Sequence, residues 1–381
     1  MRLHGRLLIE GALRSGVLEM HAGQITNIEL DEPAWNEESL PVIAPGMIDL
    51  HIHGFDMCDP LQDLAGMGRA LAKRGTTAFL PTLFPAQPTE LGKQCRAFEK
   101  AREALVEGAA HPIGLHLEGP FVNPDAAGAL PLSELAIPSV AALREILGPN
   151  MGSGNGVKTI TLAPELPGAL DLVRELEMAG VRASLGHSRA SATEGRRATK
   201  AGASGITHLY NAMSGIHHRN MGLAGLALTD DLLYAEIIGD LVHVGREAFE
   251  LALAARGPGG LCLVSDALMG AGTGCDHFHS RGIEHVIRGG AAYYPGTDEH
   301  PEPQLAGSAL CQLEMVQRLC REGVLDIAEA LTMACTTPAR ALGLLEERGV
   351  LNVGARADLL VLKPATYELQ QVYVAGERLE S

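Results

Sequence analysis

The stretch Pro45-Gly46-Met47-Ile48-Asp49-Leu50-His51-Ile52-His53-Gly54 carries the strongest signal in the chain. Its apolar run is typical of a buried β-strand, and residues i and i+2 of a strand point to the same face. His51 and His53 therefore project together at the end of this strand, and Gly54 lets the chain turn away. Two imidazoles side by side can bind one divalent metal ion. The stretch predicts a strand that ends at a metal site.

Downstream, apolar strand-like segments alternate with helix-like segments. Seven more strands are predicted over 76–82, 113–120, 159–165, 182–188, 205–210, 233–238 and 261–267. Helices are predicted over 61–74, 88–107, 140–147, 169–179, 190–201 and 245–255, with closing helices over 308–322 and 326–345. Such alternation predicts an α/β fold with a buried parallel sheet, and eight repeats favour a closed (β/α)8 TIM-like barrel. The alternative, an open doubly wound sheet, usually carries a glycine-rich phosphate loop after its first strand, and none follows His53.

Both ends of the chain differ from this middle part. They read as short strands separated by glycine turns, which predicts a small β-sandwich domain built from residues 1–44 and 350–381. The metal-dependent barrel would then span residues 45–349. The glycine- and histidine-rich stretch 269–303 is predicted to form a hairpin or lid over the mouth of the barrel.

Composition limits the classes of partner and the cell compartment. The 381 residues carry a formal net charge of −16, which argues against nucleic acid and anionic membranes as partners. A small anionic substrate held by a few local cations remains compatible with that charge. Seven cysteines without CxxC pairing fit a reducing compartment, and no signal peptide or run of 18 apolar residues is evident. We therefore expect a cytoplasmic protein.

Polar residues recur where the predicted barrel strands end, and this end of a barrel forms the active site. They are His51, His53, Glu118, His187, His208 and Asp266. Glu118, His187 and His208 form the His₂Glu set that suits a catalytic zinc ion. His51 and His53 would hold a second ion, with Glu118 as the bridge. Because such an ion lowers the pKa of bound water toward about 7, Asp266 is predicted to take the water proton as general base and later protonate the leaving group.

Each of these residues also has a simpler interpretation. A single strand histidine is more often structural than a metal ligand, and Asp266 alone could be a helix N-cap. His277 and His279 repeat the spacing of His51 and His53, but they lie in an irregular polar stretch. His116 shares the predicted face of Glu118, which suggests a supporting position behind the metal. Placement of all six candidates at strand ends favours a common site.

The order of short motifs identifies a family resemblance. The motifs are PGMIDLHIHG at 45–54, HLEGPFVNP at 116–124, TLAPE at 161–165, LGHS at 185–188, THLYNAMS at 207–214, SDA at 265–267, LAGS at 305–308 and PARALGL at 338–344. With them the chain resembles the N-acetylglucosamine-6-phosphate deacetylase family of the amidohydrolase superfamily. The resemblance implies that Glu118, His187 and His208 bind the main metal, that the histidine pair can bind a second, and that the catalytic aspartate is Asp266. Zinc, iron, cobalt and manganese all suit such ligands.

The resemblance also implies how a sugar phosphate would be bound. In that family, backbone amides matching Asn211 and Ala212 hold the phosphate. A histidine matching His243 assists them, together with an arginine matching Arg219 that is donated across the interface of a homodimer. Amide and cationic donors are the partners that a dianion needs. Arg219 could instead form an ordinary surface salt bridge.

One position departs from the family pattern. The stretch Ala127-Gly128-Ala129-Leu130 has leucine where the family usually has a histidine that contacts the acetyl carbonyl oxygen. Loss of one oxyanion donor can cost about 10²–10³ in rate. Either a second metal polarises the carbonyl or the substrate differs. The predicted function is deacetylation of N-acetylglucosamine-6-phosphate or a related N-acyl amino-sugar phosphate. The alternatives are another N-acyl or cyclic amide substrate and a metal-binding scaffold or sensor, which would not need Asp266.

Overall fold

A computed structural model of the chain describes residues 1–32, 37–105, 108–149, 151, 156–296 and 302–380. The strands are β1 (Arg2–Ile9), β2 (Ala12–His21), β3 (Gln24–Leu30), β4 (Val42–Pro45), β5 (Met47–Ile52), β6 (Thr76–Leu83), β7 (His111–Pro112), β8 (Leu115–Glu118), β9 (Val157–Leu162), β10 (Arg182–Leu185), β11 (Gly205–Ile206), β12 (Tyr234–Ile238), β13 (Leu261–Val264), β14 (His277–Ser280), β15 (Ile283–Arg288), β16 (Ala291–Tyr294), β17 (Gln304–Ser308), β18 (Leu359–Leu362), β19 (Leu369–Val374) and β20 (Glu377–Arg378). The helices are α1 (Leu64–Ala72), α2 (Pro88–Glu103), α3 (Val140–Leu147), α4 (Ala169–Met178), α5 (Ala192–Ala201), α6 (Leu223–Thr229), α7 (Arg246–Arg256), α8 (Gln312–Arg321), α9 (Ile327–Leu331) and α10 (Thr337–Ala341).

Eight parallel strands form the barrel, in the order β5-β6-β8-β9-β10-β11-β12-β13, and β7 adds a short pair to β6. These are the eight strands predicted from the sequence, so the closed barrel is confirmed and the open doubly wound sheet is wrong. Strands β5, β8, β10 and β13 are buried at every position. This burial explains why the strands read as continuous apolar runs with few polar residues.

The barrel closes at a seam between β5 and β13 through side chains as well as backbone. The side-chain amide of Gln312, at the start of α8, donates to the carbonyl oxygens of Ile48 (3.0 Å) and Leu263 (2.8 Å). Asp49 Oδ1 accepts a hydrogen bond from the backbone N–H of Ser265 at 3.2 Å. Nearer the mouth, Asp266 N–H donates to the His51 carbonyl oxygen at 2.8 Å. The first and last strands are thereby joined beside the predicted metal site.

Strands from both ends of the chain form one seven-stranded sheet with the order β20-β19-β18-β4-β1-β2-β3. One face of this sheet packs on the barrel through residues such as Val42 and Leu360, while Ile43 and Leu359 point into a separate apolar cluster. The predicted domain boundaries at 44/45 and 349/350 stay a prediction. Residues 33–36 and 381 of the predicted terminal domain lie outside the described residues.

Three segments differ in detail from the sequence expectation. Helix α6 was not predicted, because six of its seven residues are buried and leave no polar face to reveal its period. The helix expected over 326–345 divides into α9 and α10 around a π-helical turn at Thr332–Thr336. The stretch 269–303 contains β14, β15 and β16, which form an antiparallel sheet with β17; residues 297–301 lie outside the described part.

Among the helices of the described residues, none is long and apolar enough to cross a membrane.

Candidate active site

Three of the predicted site residues lie two positions beyond the end of a barrel strand, in an uncommon backbone conformation. His187 follows β10, His208 follows β11 and Asp266 follows β13, with φ values of +46°, +29° and +47°. A side-chain-bearing residue in this left-handed region costs about 1–3 kcal/mol, and such strain clusters at functional sites. The conformation turns each side chain inward over the mouth of the barrel instead of continuing the strand.

Glu118, His187 and His208 converge on one point. Glu118 Oε1 lies 3.0 Å from His187 Nε2 and 3.0 Å from His208 Nε2, and the two nitrogens are 3.0 Å apart. All three side chains are at most 5% exposed. The other ring nitrogen of His187 lies 2.9 Å from the carbonyl oxygen of Ala126, an acceptor that fixes Nδ1 as the donor. Nε2 of His187 therefore has its lone pair free to face Glu118 and His208.

His51 and His53 form a second group that shares Glu118 with the first. Their Nε2 atoms are 3.3 Å apart, and each lies 3.4 Å from Asp266 Oδ1. His53 Nε2 is 3.2 Å from Glu118 Oε2, and His51 Nε2 is 3.6 Å from Glu118 Oε1. Glu118 thus contacts both histidine pairs, with Oε1 near His187, His208 and His51 and Oε2 near His53; its role as a metal bridge stays a prediction.

Burial and neighbouring charges together set the pKa values of the carboxyl and imidazole groups in this cluster. Burial raises the pKa of the Glu118 carboxyl, but the close contacts with His187, His208 and His53 hold it well below its usual value. Burial also raises the pKa of Asp266, and the charge of His51 with the His53 contact lowers it overall. For His51, burial lowers the pKa, yet the carboxylates of Asp266, Glu236 and Glu118 raise it to about 10. The ionised carboxylates thus attract positive charge to this cluster, whether a proton on His51 or a metal ion that takes the place of that proton.

The donor set fits a divalent metal ion. Three groups of imidazole and carboxylate ligand atoms, each within 4.8 Å of one another, occur in the described residues: Glu118 with His187 and His208; His51 with His53 and Asp266; and His51 with His116 and Glu236. Zinc–ligand bonds of about 2.0–2.2 Å place neighbouring ligand atoms roughly 3–3.5 Å apart. The first two groups have that spacing and face the cleft. That Glu118 and the four histidines of these two groups bind metal stays a prediction, as does the separate role of Asp266 as general base.

A cleft of about 570 Å³, open to solvent, reaches both groups. Asn211, Ala212 and His243 line it, and their role in binding a phosphate stays a prediction. The N–H of Asn211 donates to the His208 carbonyl oxygen at 3.0 Å, whereas no acceptor for the N–H of Ala212 occurs among the described residues. His243 Nδ1 donates to the buried Asp240 carboxylate at 2.6 Å. Of the two backbone amides, Ala212 is therefore the one with a free donor.

Arg219 does not line the cleft of its own chain. It lies in an exposed loop, where its guanidinium is 2.8 Å from His218 Nε2. The position is compatible with the predicted contact across a homodimer interface, and within a single chain the residue cannot be counted among the cleft residues.

Leu130 lies in the cleft wall, 6% exposed, against Val122 and Ala127. The structure thus places an apolar side chain where the family pattern predicts a hydrogen-bond donor. Phe84 borders the same apolar cluster.

Two residues near the metal groups were missed by the sequence analysis. Phe84 follows β6 and stacks on His53, with ring centroids 4.0 Å apart and planes at 14°. Glu236 lies within β12, and its Oε2 is 3.1 Å from His51 Nδ1. A single acid inside the apolar run Tyr-Ala-Glu-Ile-Ile was the available signal for Glu236; nothing in the sequence marked Phe84. The exposed His277 and His279 lie on β14 and take no part in the three metal-capable groups.

Comparisons with known proteins agree with this geometry. The model of the amidohydrolase family matches residues 42–379. The chain is 32% identical to an N-acetylglucosamine-6-phosphate deacetylase of Bacillus subtilis (strain 168) over 92% of this chain and 89% of the relative. It is 31% identical to an N-acetylgalactosamine-6-phosphate deacetylase of Escherichia coli O157:H7 over 99% and 98%. A solved mutant of the Mycobacterium smegmatis N-acetyl-D-glucosamine-6-phosphate deacetylase, in complex with N-acetyl-D-glucosamine-6-phosphate, superimposes with a TM-score of 0.87 at 29% identity, covering 100% of this chain and 99% of that one.

Proposed function

The chain belongs to the amidohydrolase family, and to the N-acetylglucosamine-6-phosphate deacetylases within it; from that membership we propose that it hydrolyses the acetamide of N-acetylglucosamine-6-phosphate, or of a close N-acyl amino-sugar phosphate, to the amine and acetate. The observation that carries the proposal is the convergence of Glu118, His187 and His208 beside Asp266 at the mouth of the barrel. Membership in a hydrolase family, together with an ionised aspartate beside these ligands, favours an enzyme over a metal-binding scaffold.

Different residues of the cleft have different roles in the proposed reaction. Glu118, His187 and His208 would hold a divalent ion, which when bound would polarise the amide carbonyl and make the attacking water more acidic. Asp266 Oδ1 takes the proton of the attacking water, because its carboxylate is ionised, lies beside His51 and His53 and lines the cleft. Asp266 then returns that proton to the departing sugar nitrogen, which leaves as the amine.

One or two ions per chain are proposed. Glu118, His187 and His208 hold the first, and His51 with His53 hold the second, with Glu118 shared. Zinc is the first choice for a His₂Glu site, and iron, cobalt or manganese would also fit these ligands. A second ion at His51 and His53 would add to the polarisation of the acyl carbonyl, in a cleft where Leu130 offers no hydrogen-bond donor.

The phosphate of the substrate is proposed to bind to Ala212 N–H, to the neighbouring Asn211 and to His243. Burial lowers the pKa of His243, but its contact with the Asp240 carboxylate raises the pKa overall, so the imidazole carries a proton at neutral pH more readily than a free histidine. Arg219 from the second subunit of a homodimer is the proposed additional cation. A cytoplasmic location is proposed from the free cysteines.

Leu130 supports one alternative substrate class. The apolar side chains of Leu130 and Phe84 that line the cleft would also suit an N-acyl group other than acetyl. Because relatives act on both the gluco and the galacto epimer by name, the sugar configuration is part of the same question.

The test is amine release by metal-loaded protein from N-acetylglucosamine-6-phosphate, N-acetylgalactosamine-6-phosphate and unphosphorylated N-acetylglucosamine. We expect kcat/KM of about 10⁴–10⁶ M⁻¹s⁻¹ on one phosphate ester and far less on the free sugar. No release from any of the three, with metal bound, would contradict the proposed substrate and direct the search to longer acyl groups.

A further inference from the structure

A glutamate that the proposed mechanism does not use lies directly behind the metal groups. Glu236 is fully buried within β12. Its Oε2 lies 3.1 Å from His51 Nδ1 and 3.4 Å from the backbone N–H of His208. Among the described residues, its Oε1 has no hydrogen-bond partner. Because a buried carboxylate costs several kcal/mol unless it is compensated, its close contact with His51 must offset much of that cost.

We propose that Glu236 is a positioning residue that fixes the tautomer and direction of His51 and thereby sets the affinity of the His51–His53 pair for a second metal ion. The inference rests on the proposed two-metal function. An ionised carboxylate only accepts hydrogen bonds, so the hydrogen in the 3.1 Å contact belongs to His51 Nδ1. In a neutral imidazole the lone pair is then on Nε2.

The direction of that lone pair is the second step. His51 Nε2 lies 3.3 Å from His53 Nε2, 3.4 Å from Asp266 Oδ1 and 3.6 Å from Glu118 Oε1. The tautomer selected by Glu236 therefore aims a ligand atom at the shared Glu118 and the other members of the pair. The opposite tautomer would place a hydrogen on Nε2 at this point and block an ion.

The four candidate histidine ligands differ in what holds their far nitrogen. His187 Nδ1 donates to the carbonyl oxygen of Ala126. In the described part of the chain, Nδ1 of His53 and Nδ1 of His208 have no partner. His51 alone of the four thus has a carboxylate as its acceptor there. A carboxylate acceptor orients the ring and makes the opposite nitrogen a better metal ligand. Because Glu236 contacts the ring of His51, we expect it to raise the affinity for the second ion and not for the first.

A separate metal site is the rival interpretation, because His51, His116 and Glu236 also lie close enough to share an ion. His116 Nε2 is already 2.8 Å from Thr161 Oγ1, and all three residues are 0% exposed. An ion there would also occupy His51 Nδ1 and take over the contact with Glu236. The metal count per chain distinguishes the two arrangements.

The experiment compares wild type with Glu236→Gln, which keeps the shape and removes the charge, and Glu236→Asp, which keeps the charge. Glu165→Gln is the matched control, because Glu165 holds Asn123 and Ser188 at the same barrel mouth and contacts neither His51 nor His53. Zinc per chain is measured by elemental analysis during stepwise removal with dipicolinate. Zinc-loaded, ¹⁵N-histidine-labelled wild type is examined by NMR, with the His51 signal assigned by its loss in His51→Ala.

We expect two ions in wild type, of which one binds about 10–100-fold more weakly in Glu236→Gln while the other is unchanged. Glu236→Asp should lie closer to wild type, and NMR should show Nδ1–H and a zinc-bound Nε2 for His51. Equal chelator curves for wild type and Glu236→Gln would overturn the inference. So would a zinc-bound Nδ1 in wild type, a result that does not require the variant to fold.

Other outcomes separate this inference from the proposed function. Three ions in wild type and two in Glu236→Gln would assign Glu236 to a metal site of its own and overturn its positioning role. A single ion in wild type would remove the second metal and this inference with it. Two ions and the expected chelator shift, but no deacetylation, would overturn only the proposed substrate.

Discussion

Replacing Asp266 with asparagine tests the proton-transfer step most directly. Asparagine has the same shape and preserves the backbone hydrogen bonds of residue 266 to His51 and Ser308, but its amide cannot take a proton. Asp266 Oδ1 lies 3.4 Å from Nε2 of both His51 and His53, and Asp266 lines the cleft that the substrate would enter.

The expected loss follows from the role of a general base. Positioned proton transfer contributes about 10²–10⁴-fold, which corresponds to roughly 2.7–5.4 kcal/mol of the activation barrier. Because the Asp266 pKa is lowered despite burial, the carboxylate is fully ionised at neutral pH, and the whole contribution is lost in Asp266→Asn. We expect kcat to fall by that factor, while zinc at Glu118, His187 and His208 is retained.

The assay is amine release by zinc-loaded variant and wild type, with zinc per chain measured on the same samples. Asp63→Asn is the matched control, because Asp63 caps α1 away from the cleft. Asparagine caps a helix about as well as aspartate, so this control should keep both its stability and its kcat. If Asp266→Asn with full zinc retained more than a tenth of the wild-type kcat, Asp266 would not be the general base.

Four further results are expected. His51→Ala should lower the zinc content from two ions to one per chain; an unchanged content would exclude the His51–His53 pair as ligands. Arg219→Ala should raise KM for a phosphorylated substrate far more than for the free sugar, and equal effects on both would exclude a phosphate contact. His243 has a raised pKa, so its proton is present below that pKa and is lost as pH rises through it. KM for the phosphate ester should therefore rise with pH in wild type and stay flat in His243→Gln. Parallel pH profiles of KM for the two proteins would contradict a phosphate contact by His243. Gln312→Leu leaves the carbonyl oxygens of Ile48 and Leu263 without the side-chain amide that donates to them, so the free energy of unfolding in urea should fall by about 2–4 kcal/mol. A fall of less than about 0.5 kcal/mol would mean that the seam does not depend on Gln312.

The sequence and the structure give different information about Leu130. The sequence marked the position because leucine cannot donate a hydrogen bond. The structure adds that Leu130 lines the cleft itself, while Val122 and Ala127 pack against it away from the cleft surface and hold it in place. Measuring activity on substrates with acyl groups of increasing length tests whether the cleft at Leu130 accepts a group larger than acetyl.

The barrel and the candidate ligands could be predicted from the sequence because both have local signals. Buried parallel strands read as short apolar runs, and a polar residue that ends such a run stands out against them. Glu118, His187 and His208 each end one of these runs, and the structure brings their ligand atoms to within 3.0 Å. Helix α6 escaped prediction for the opposite reason, since burial on nearly all sides leaves no periodic pattern.

What surrounds those ligands was decided by tertiary structure alone. Glu236 lies 185 residues from His51 along the chain, and Phe84 stacks on His53 from a different barrel strand. Gln312 joins the first and last barrel strands from a helix that follows both. The sequence by itself determined the strand order, the strand-end residues and hence the chemistry, because those depend on local apolar patterns and residue types. The orientation of each ligand and the closure of the barrel depend on contacts between residues far apart in sequence. Such contacts form only when the chain folds into the barrel.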